Sequence, residues 1–270
     1  VTTTATARTR DELTDQAATA SIDAACRLLR LPVMRDRLED AVATALHHQA
    51  GYKTFLADLL AAECDERETR RKIRAVKAAA FPRIKRVEEF DFTANPNITP
   101  AVVHTLAGGT WIREGRPLCL IGDSGTGKSH LLIALGIAAA EAGHRVRYTT
   151  AAALANELAE AADDKQLTRT IARYTRLDLL CLDELGYLRL DRRGAELLFQ
   201  VITAREEKSS IAIASNSTFT EWSATFTDPR LCAAIVDRVT FNATIIETGT
   251  DSYRLKTTQA NRARTKETGR

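Results

Sequence analysis

The chain has 270 residues, 44% hydrophobic and 27% charged, with a formal net charge of +3. These proportions suit a globular chain and exclude wholesale disorder, a collagen-like repeat and a coiled-coil rod. The longest apolar stretch, Leu131–Ala140, is stopped by Glu141, so no membrane span is expected.

The start, VTTTATARTR, has no apolar segment and reads as a frayed tail rather than a signal peptide. From about Asp11 to Phe81 the pattern is helical. Leu28, Leu29, Leu31, Met34, Leu38, Val42 and Leu46 recur at roughly helical spacing, interrupted by Pro32, which suits a first turn. Gly51 breaks the pattern before a second amphipathic run through Phe55, Leu56, Leu59 and Leu60. That run turns basic, with Arg67, Arg70, Arg71, Lys72, Arg74, Lys77, Arg83, Lys85 and Arg86 against the single acid Glu68. It is either a solvated helix face or a phosphate-binding surface. The dominance of one sign, with no acid expected one turn away to neutralise it, favours the second.

Pro82, Asn95-Pro96 and Thr99-Pro100 mark a loop-rich join. The expected division is a helical domain over 1–85, a core over 86–250 and a basic tail over 251–270. In the core, short apolar strands are expected at Leu118–Ile121, Arg145–Thr149, Leu179–Leu182, Ile211–Ala214 and Thr244–Ile246, with helical patterns between them. That alternation predicts an α/β fold with a parallel sheet covered on both faces. The five cysteines (Cys26, Cys64, Cys119, Cys181 and Cys232) are scattered and lack metal-ligand spacing. Buried, reduced thiols in a cytoplasmic protein are the simplest account.

The motif that sets the class is Gly122-Asp123-Ser124-Gly125-Thr126-Gly127-Lys128-Ser129, a full G-x-x-x-x-G-K-[ST] between an expected strand and an expected helix. Glycines let successive backbone N–H groups curl around phosphate oxygens, and the helix that starts there adds its positive end. Lys128 would sit on the β- and γ-phosphates and the Ser129 hydroxyl on Mg²⁺, with His130 following at the loop's edge. The strand Leu179–Leu182 ends in Asp183-Glu184. In a P-loop protein this pairing suits one acid holding the Mg²⁺ shell and the other polarising water, which favours hydrolysis over transfer. Asn216, after the strand Ile211–Ala214, is placed either to bond the water or γ-phosphate or simply as a turn residue.

Several stretches together resemble the IstB-type transposition helper ATPases and, more distantly, the DnaC-type helicase loaders, both AAA+ proteins. They are GDSGTGKSHLLIALG, LLCLDELGYL with LLFQVITAREE, IAIASN, DPRLCAAIVDRV and DSYRLK. The resemblance implies a RecA-like P-loop core and ATP as the nucleotide. It also implies an ATPase that oligomerises on duplex DNA with little sequence preference and stimulates a transposase. The helical region 1–85 would then contact DNA or the transposase. It further implies an arginine acting on a neighbouring subunit. Arg238, in Asp237-Arg238-Val239, matches that position; Arg230 is a weaker candidate, and Arg254 matches without an evident role. A helix-end arginine pairing with Asp237 is the competing account of Arg238.

Few residues follow the last expected strand, so no helical lid domain is expected, and the cleft would need a neighbour to complete it. Lys165, Arg169, Arg173 and Arg176 would share one helical face and are the candidate DNA contacts, against the alternative of a solvated helix exterior. Aromatic residues are only 6% of the chain, which disfavours base stacking and favours phosphate contact with duplex DNA. The competing functions are a helicase loader with the same core and a small-molecule P-loop kinase, for which no acceptor pocket or lid is evident.

Overall fold

A computed structural model describes residues 3–187, 189–250 and 252–253, with side chains from residue 14 onward. Three helices come first: α1 (Thr3–Leu29), α2 (Pro32–His47) and α3 (Tyr52–Ala79). Pro32 opens α2, and Gly51 precedes α3, as their chemistry predicts. The start expected to fray is helical from Thr3. The chain divides into two compact units, Val1–Arg71 and Lys72–Arg270, and the division falls within α3.

The first unit is held by a carboxylate. Leu31 stands at the N-cap of α2 and offers no side-chain acceptor. Glu63, on α3, supplies one instead: its Oε2 accepts the N–H groups of Val33 (2.8 Å) and Met34 (3.2 Å). Arg67 donates to Glu63 Oε1 at 3.1 Å and to the Arg30 carbonyl at 2.6 Å, closing the end of α1. Leu28, Leu29 and Leu46 are 63–83% exposed, and the only fully buried residues among 14–71 are Cys26, Leu59 and Glu63. One expectation, that of an unneutralised basic run, is corrected here. The run has acids one turn away: Arg67 pairs with Glu63 and Arg70 with Glu66, because those acids lie just before the run.

In the second unit the order is α4 (Pro100–Ala107), α5 (Thr110–Arg113), β1 (Leu118–Ile121), α6 (Lys128–Glu141), β2 (Val146–Thr150), α7 (Ala151–Asp163), α8 (Leu167–Thr175), β3 (Leu179–Leu185), α9 (Arg192–Arg205), β4 (Ser210–Ser215), α10 (Trp222–Thr225), α11 (Pro229–Thr240) and β5 (Thr244–Glu247). The five strands form one parallel sheet in the order β2-β3-β4-β1-β5. Alternate strand residues feed two cores. Cys119, Ile121, Leu180, Leu182, Ile211 and Ile213 join α7, α9 and α11 on one face. Leu118, Leu120, Leu179, Cys181, Ala212 and Ala214 join α4 and α6 on the other.

A cation is buried beside the sheet. Arg205 is 1% exposed and donates to the carbonyls of Tyr174, Leu177 and Ser210, while burial pushes its pKa down to about 10. Cys26, Cys119, Cys181 and Cys232 are buried free thiols, and burial pushes Cys119 up to about 12. Cys64 is exposed, so the expectation of buried thiols fails there. It lies on a helix of the thinly covered first unit. The expected basic tail over 251–270, with Arg254, lies outside the described residues apart from Ser252 and Tyr253.

Candidate nucleotide-binding site

Parallel strands all end at one edge of the sheet, and the expected chemistry collects there. β1, buried along its whole length, delivers the glycine loop to α6. Gly127 caps α6 at φ +103°, and a Cβ there would fall 2.7 Å from the Phe90 ring, so the position requires glycine. No side chain caps α6, which leaves its first N–H groups for an anion. Lys128 is buried, with Nζ donating to the Asp123 carbonyl at 2.7 Å.

Ser129 Oγ donates to Asp183 Oδ1 at 3.1 Å, joining the loop to the end of β3. Asp183 also accepts the Glu184 N–H at 2.8 Å and the Tyr148 hydroxyl at 2.8 Å. Burial, reinforced by the charge of Asp183, raises the Tyr148 pKa and keeps it a donor. Glu184 occupies a β-bulge: Leu182 pairs with Ile213, but the next pair is Leu185 with Ser215. Its φ is +60° and its side chain is exposed, aimed away from the core that holds its neighbours.

These groups line one cleft of about 490 Å³, a volume suited to a nucleotide. Its walls include Ser124–His130, Asp183, Glu184 and Asn216. His130 sits against Phe90 with Nε2 2.9 Å from the Arg86 carbonyl oxygen, and burial lowers its pKa. Gly122 and Asp123 stand behind the wall. Asp123 accepts Lys128 through its carbonyl and donates its N–H to the Gly249 carbonyl at 2.9 Å.

Sequence reasoning missed Tyr148, Phe90 and Asn95. Asn95 is buried, and its Nδ2 donates to the carbonyls of Thr126 and Thr248, both at 2.9 Å. One amide thus ties the glycine loop to the end of β5. No local pattern announces it, because its partners lie 31 and 153 residues away.

Four further candidate residues lie outside this cleft. Arg238 lines a different cavity, with Gly115 and Pro117, which precede β1, whereas the glycine loop follows it. It pairs with Glu206 at 3.1 Å, donates to the Ala234 carbonyl at 3.0 Å and lies 4.9 Å from the Phe199 ring centroid. Arg169 and Arg173 are on α8, exposed, and Arg173 pairs with Glu157. Lys165 is not on that helix: it sits at φ +57° in the turn between α7 and α8, which corrects the expectation of a shared face.

The donor set fits a triphosphate with a divalent ion. Among the described residues no three His, Cys, Asp or Glu side chains gather around one point. Ser129 and Asp183 would hold a hard ion whose remaining positions come from phosphate oxygens and water, which suits Mg²⁺. Residues 24–261 match the IstB-like ATP binding protein family. This chain belongs to that family.

The IstB-like chain is 36% identical over 228 residues to the IS21 insertion-sequence ATP-binding protein of Pseudomonas aeruginosa, covering 84% of this chain and 86% of that one. It is 34% identical over 231 residues to the IS5376 ATP-binding protein of Geobacillus stearothermophilus, covering 86% and 92%. Its fold is similar to AMPPCP-bound DnaA of Aquifex aeolicus, with TM-score 0.51 and 25% identity over 62% of this chain and 51% of that one. The chain therefore spans about half the length of that protein. The IstB-like chain is a P-loop ATPase of AAA+ architecture. No helix among its described residues is long and apolar enough to cross a membrane.

Proposed function

We propose that this IstB-like ATPase is a cytoplasmic transposition helper: it oligomerises on double-stranded DNA when ATP is bound and stimulates the transposase of its insertion sequence. Its relatives are ATP-binding proteins of insertion sequences, which favours this reading over a helicase loader with the same core. The domain over 1–85 would make the DNA or transposase contact, and Lys165, Arg169 and Arg173 would offer further DNA phosphate contacts.

The observation that carries the assembly step is the distance of Arg238 from its own cleft. Arg238, held by Glu206 beside Gly115 and Pro117, lines a cavity other than its own subunit's cleft, which supports a role at a neighbour's phosphates. In the complete site Lys128 and the first amides of α6 bind the triphosphate. Glu184 accepts a proton from the attacking water and Asn216 orients it. Ser129 and Asp183 would hold Mg²⁺, which would supply charge neutralisation when bound. A neighbour's Arg238 then stabilises charge on the departing phosphate, an effect of about 10³–10⁵ in rate where it is known.

Mixing two inactive variants tests this. Arg238→Ala subunits keep Glu184, and Glu184→Gln subunits keep Arg238, so mixed assemblies on DNA contain complete composite sites. ATPase activity should return on mixing and depend on duplex DNA. Mixtures no more active than their parents would refute action between subunits.

A further inference from the structure

Several arginines outside the cleft have an anionic partner: Arg86 pairs with Glu141, Arg145 with Asp178 and Arg193 with Asp163. Arg83 and Lys85, in the irregular segment that follows α3, differ. Neither forms an ion pair or hydrogen bond with a described residue, and both line the nucleotide cleft together with Ser129, Asp183 and Glu184. Arg83 is near enough for its charge to act on the Tyr148 hydroxyl, which bonds Asp183. Both charges act on His130, next to Ser129. The two cations therefore face the end of the cleft where the glycine loop meets the metal-holding acid.

Three of the four acids that line the cleft, Glu89, Asp91 and Asp183, do not account for them. Glu89 accepts the Arg86 N–H at 3.2 Å, and Asp91 accepts the Thr93 N–H and hydroxyl and the Ala94 N–H. Those carboxylates are engaged in shaping the loop. Asp183 is engaged by Ser129, Tyr148 and Glu184. Two unpaired cations beside a phosphate seat are electrostatically unfinished, and an anion bound in the cleft completes them.

We infer that Arg83 and Lys85 are phosphate-positioning residues acting within one subunit, contacting the terminal phosphate of the bound nucleoside triphosphate. The inference rests on the nucleotide reading of the cleft and adds a second source of charge to Lys128. It gives a single subunit the means to tell a triphosphate from a diphosphate before any neighbour supplies Arg238. Because the cations sit in the segment leaving α3, the same contact fastens that segment when the triphosphate is present.

The test compares the equilibrium binding of Mg²⁺-ADP and a Mg²⁺-bound non-hydrolysable ATP analogue to the full chain without DNA. Replacing both residues, Arg83→Gln with Lys85→Gln, should weaken the triphosphate about tenfold while ADP changes less than about twofold, the scale of one charge-assisted contact. Arg83→Lys, tested alone, should lose less than Arg83→Gln. Equal weakening of both nucleotides, or no change in either, overturns the inference. An unchanged nucleotide ratio with lost affinity for duplex DNA assigns the cations to DNA and overturns it too. If the unmodified chain binds neither nucleotide, the reading of the cleft itself falls, a result distinct from the other outcomes.

Discussion

The two units start from the same sequence signal and end in different physical states. In α6, Leu131, Leu132 and Leu135 recur at helical spacing and are at most 3% exposed, sealed between the sheet and α4. In the helices of the first unit, Leu28, Leu29 and Leu46 follow a similar spacing and are mostly in water. The first unit is fixed instead by a polar device, Glu63 capping α2 and gripping Arg67. Helical periodicity identifies the element. Whether its apolar face is covered depends on a partner layer wide enough to cover it, and a five-stranded sheet provides one.

The contrast can be tested because both tryptophans, Trp111 and Trp222, are buried in the second unit. Their emission reports the core, whereas far-ultraviolet circular dichroism reports helices in both. The largest effect is expected at the cleft: Lys128→Ala removes charge-assisted contacts to two phosphates and should weaken ATP roughly a thousandfold by equilibrium binding, with both spectroscopic signals unchanged. Next comes Leu180→Ala, which leaves a cavity beneath the sheet and should cost about 3 kcal/mol in urea unfolding followed by tryptophan emission. A loss under 1 kcal/mol would erase the distinction between the units.

Glu63→Gln should remove about 1 kcal/mol from the first unit alone, seen as earlier loss of helix with the tryptophan transition unmoved. Burial opposes ionisation, but the N–H groups of Met34 and Val33 and the charge of Arg67 outweigh it and lower the Glu63 pKa below the usual 4.5. Its stabilisation is therefore complete above the unfolded value and disappears as pH falls through the lower folded one. The first unit should lose helix on acidification below about pH 4.5, and Glu63→Gln should abolish that dependence. Smallest of all, Leu28→Ser should change stability by less than about 0.5 kcal/mol in the same helix measurement, since the residue is 83% exposed.

What the sequence made legible was local. The glycine loop, the acids ending β3 and the position of Asn216 after β4 follow from short motifs whose chemistry is complete within a few residues. The five strands were legible because each is a short apolar run between turns. What stayed hidden depends on chain crossings. Asn95 needs Thr248, Tyr148 needs Asp183, and Glu63 needs the start of α2, each joined only by the fold. The pairing of Arg67 with Glu63 was within one turn and readable, but counting charges only inside the basic run concealed it.

The bulge at the end of β3 carries a consequence of its own. Glu184 sits at φ +60°, a geometry that disfavours any residue with a Cβ by about 1–2 kcal/mol relative to glycine. A sequence tuned for durability alone would place glycine there and relax the turn. With glutamate in that place, the polypeptide is less sturdy at the residue proposed to polarise water, and one side chain would set robustness against turnover.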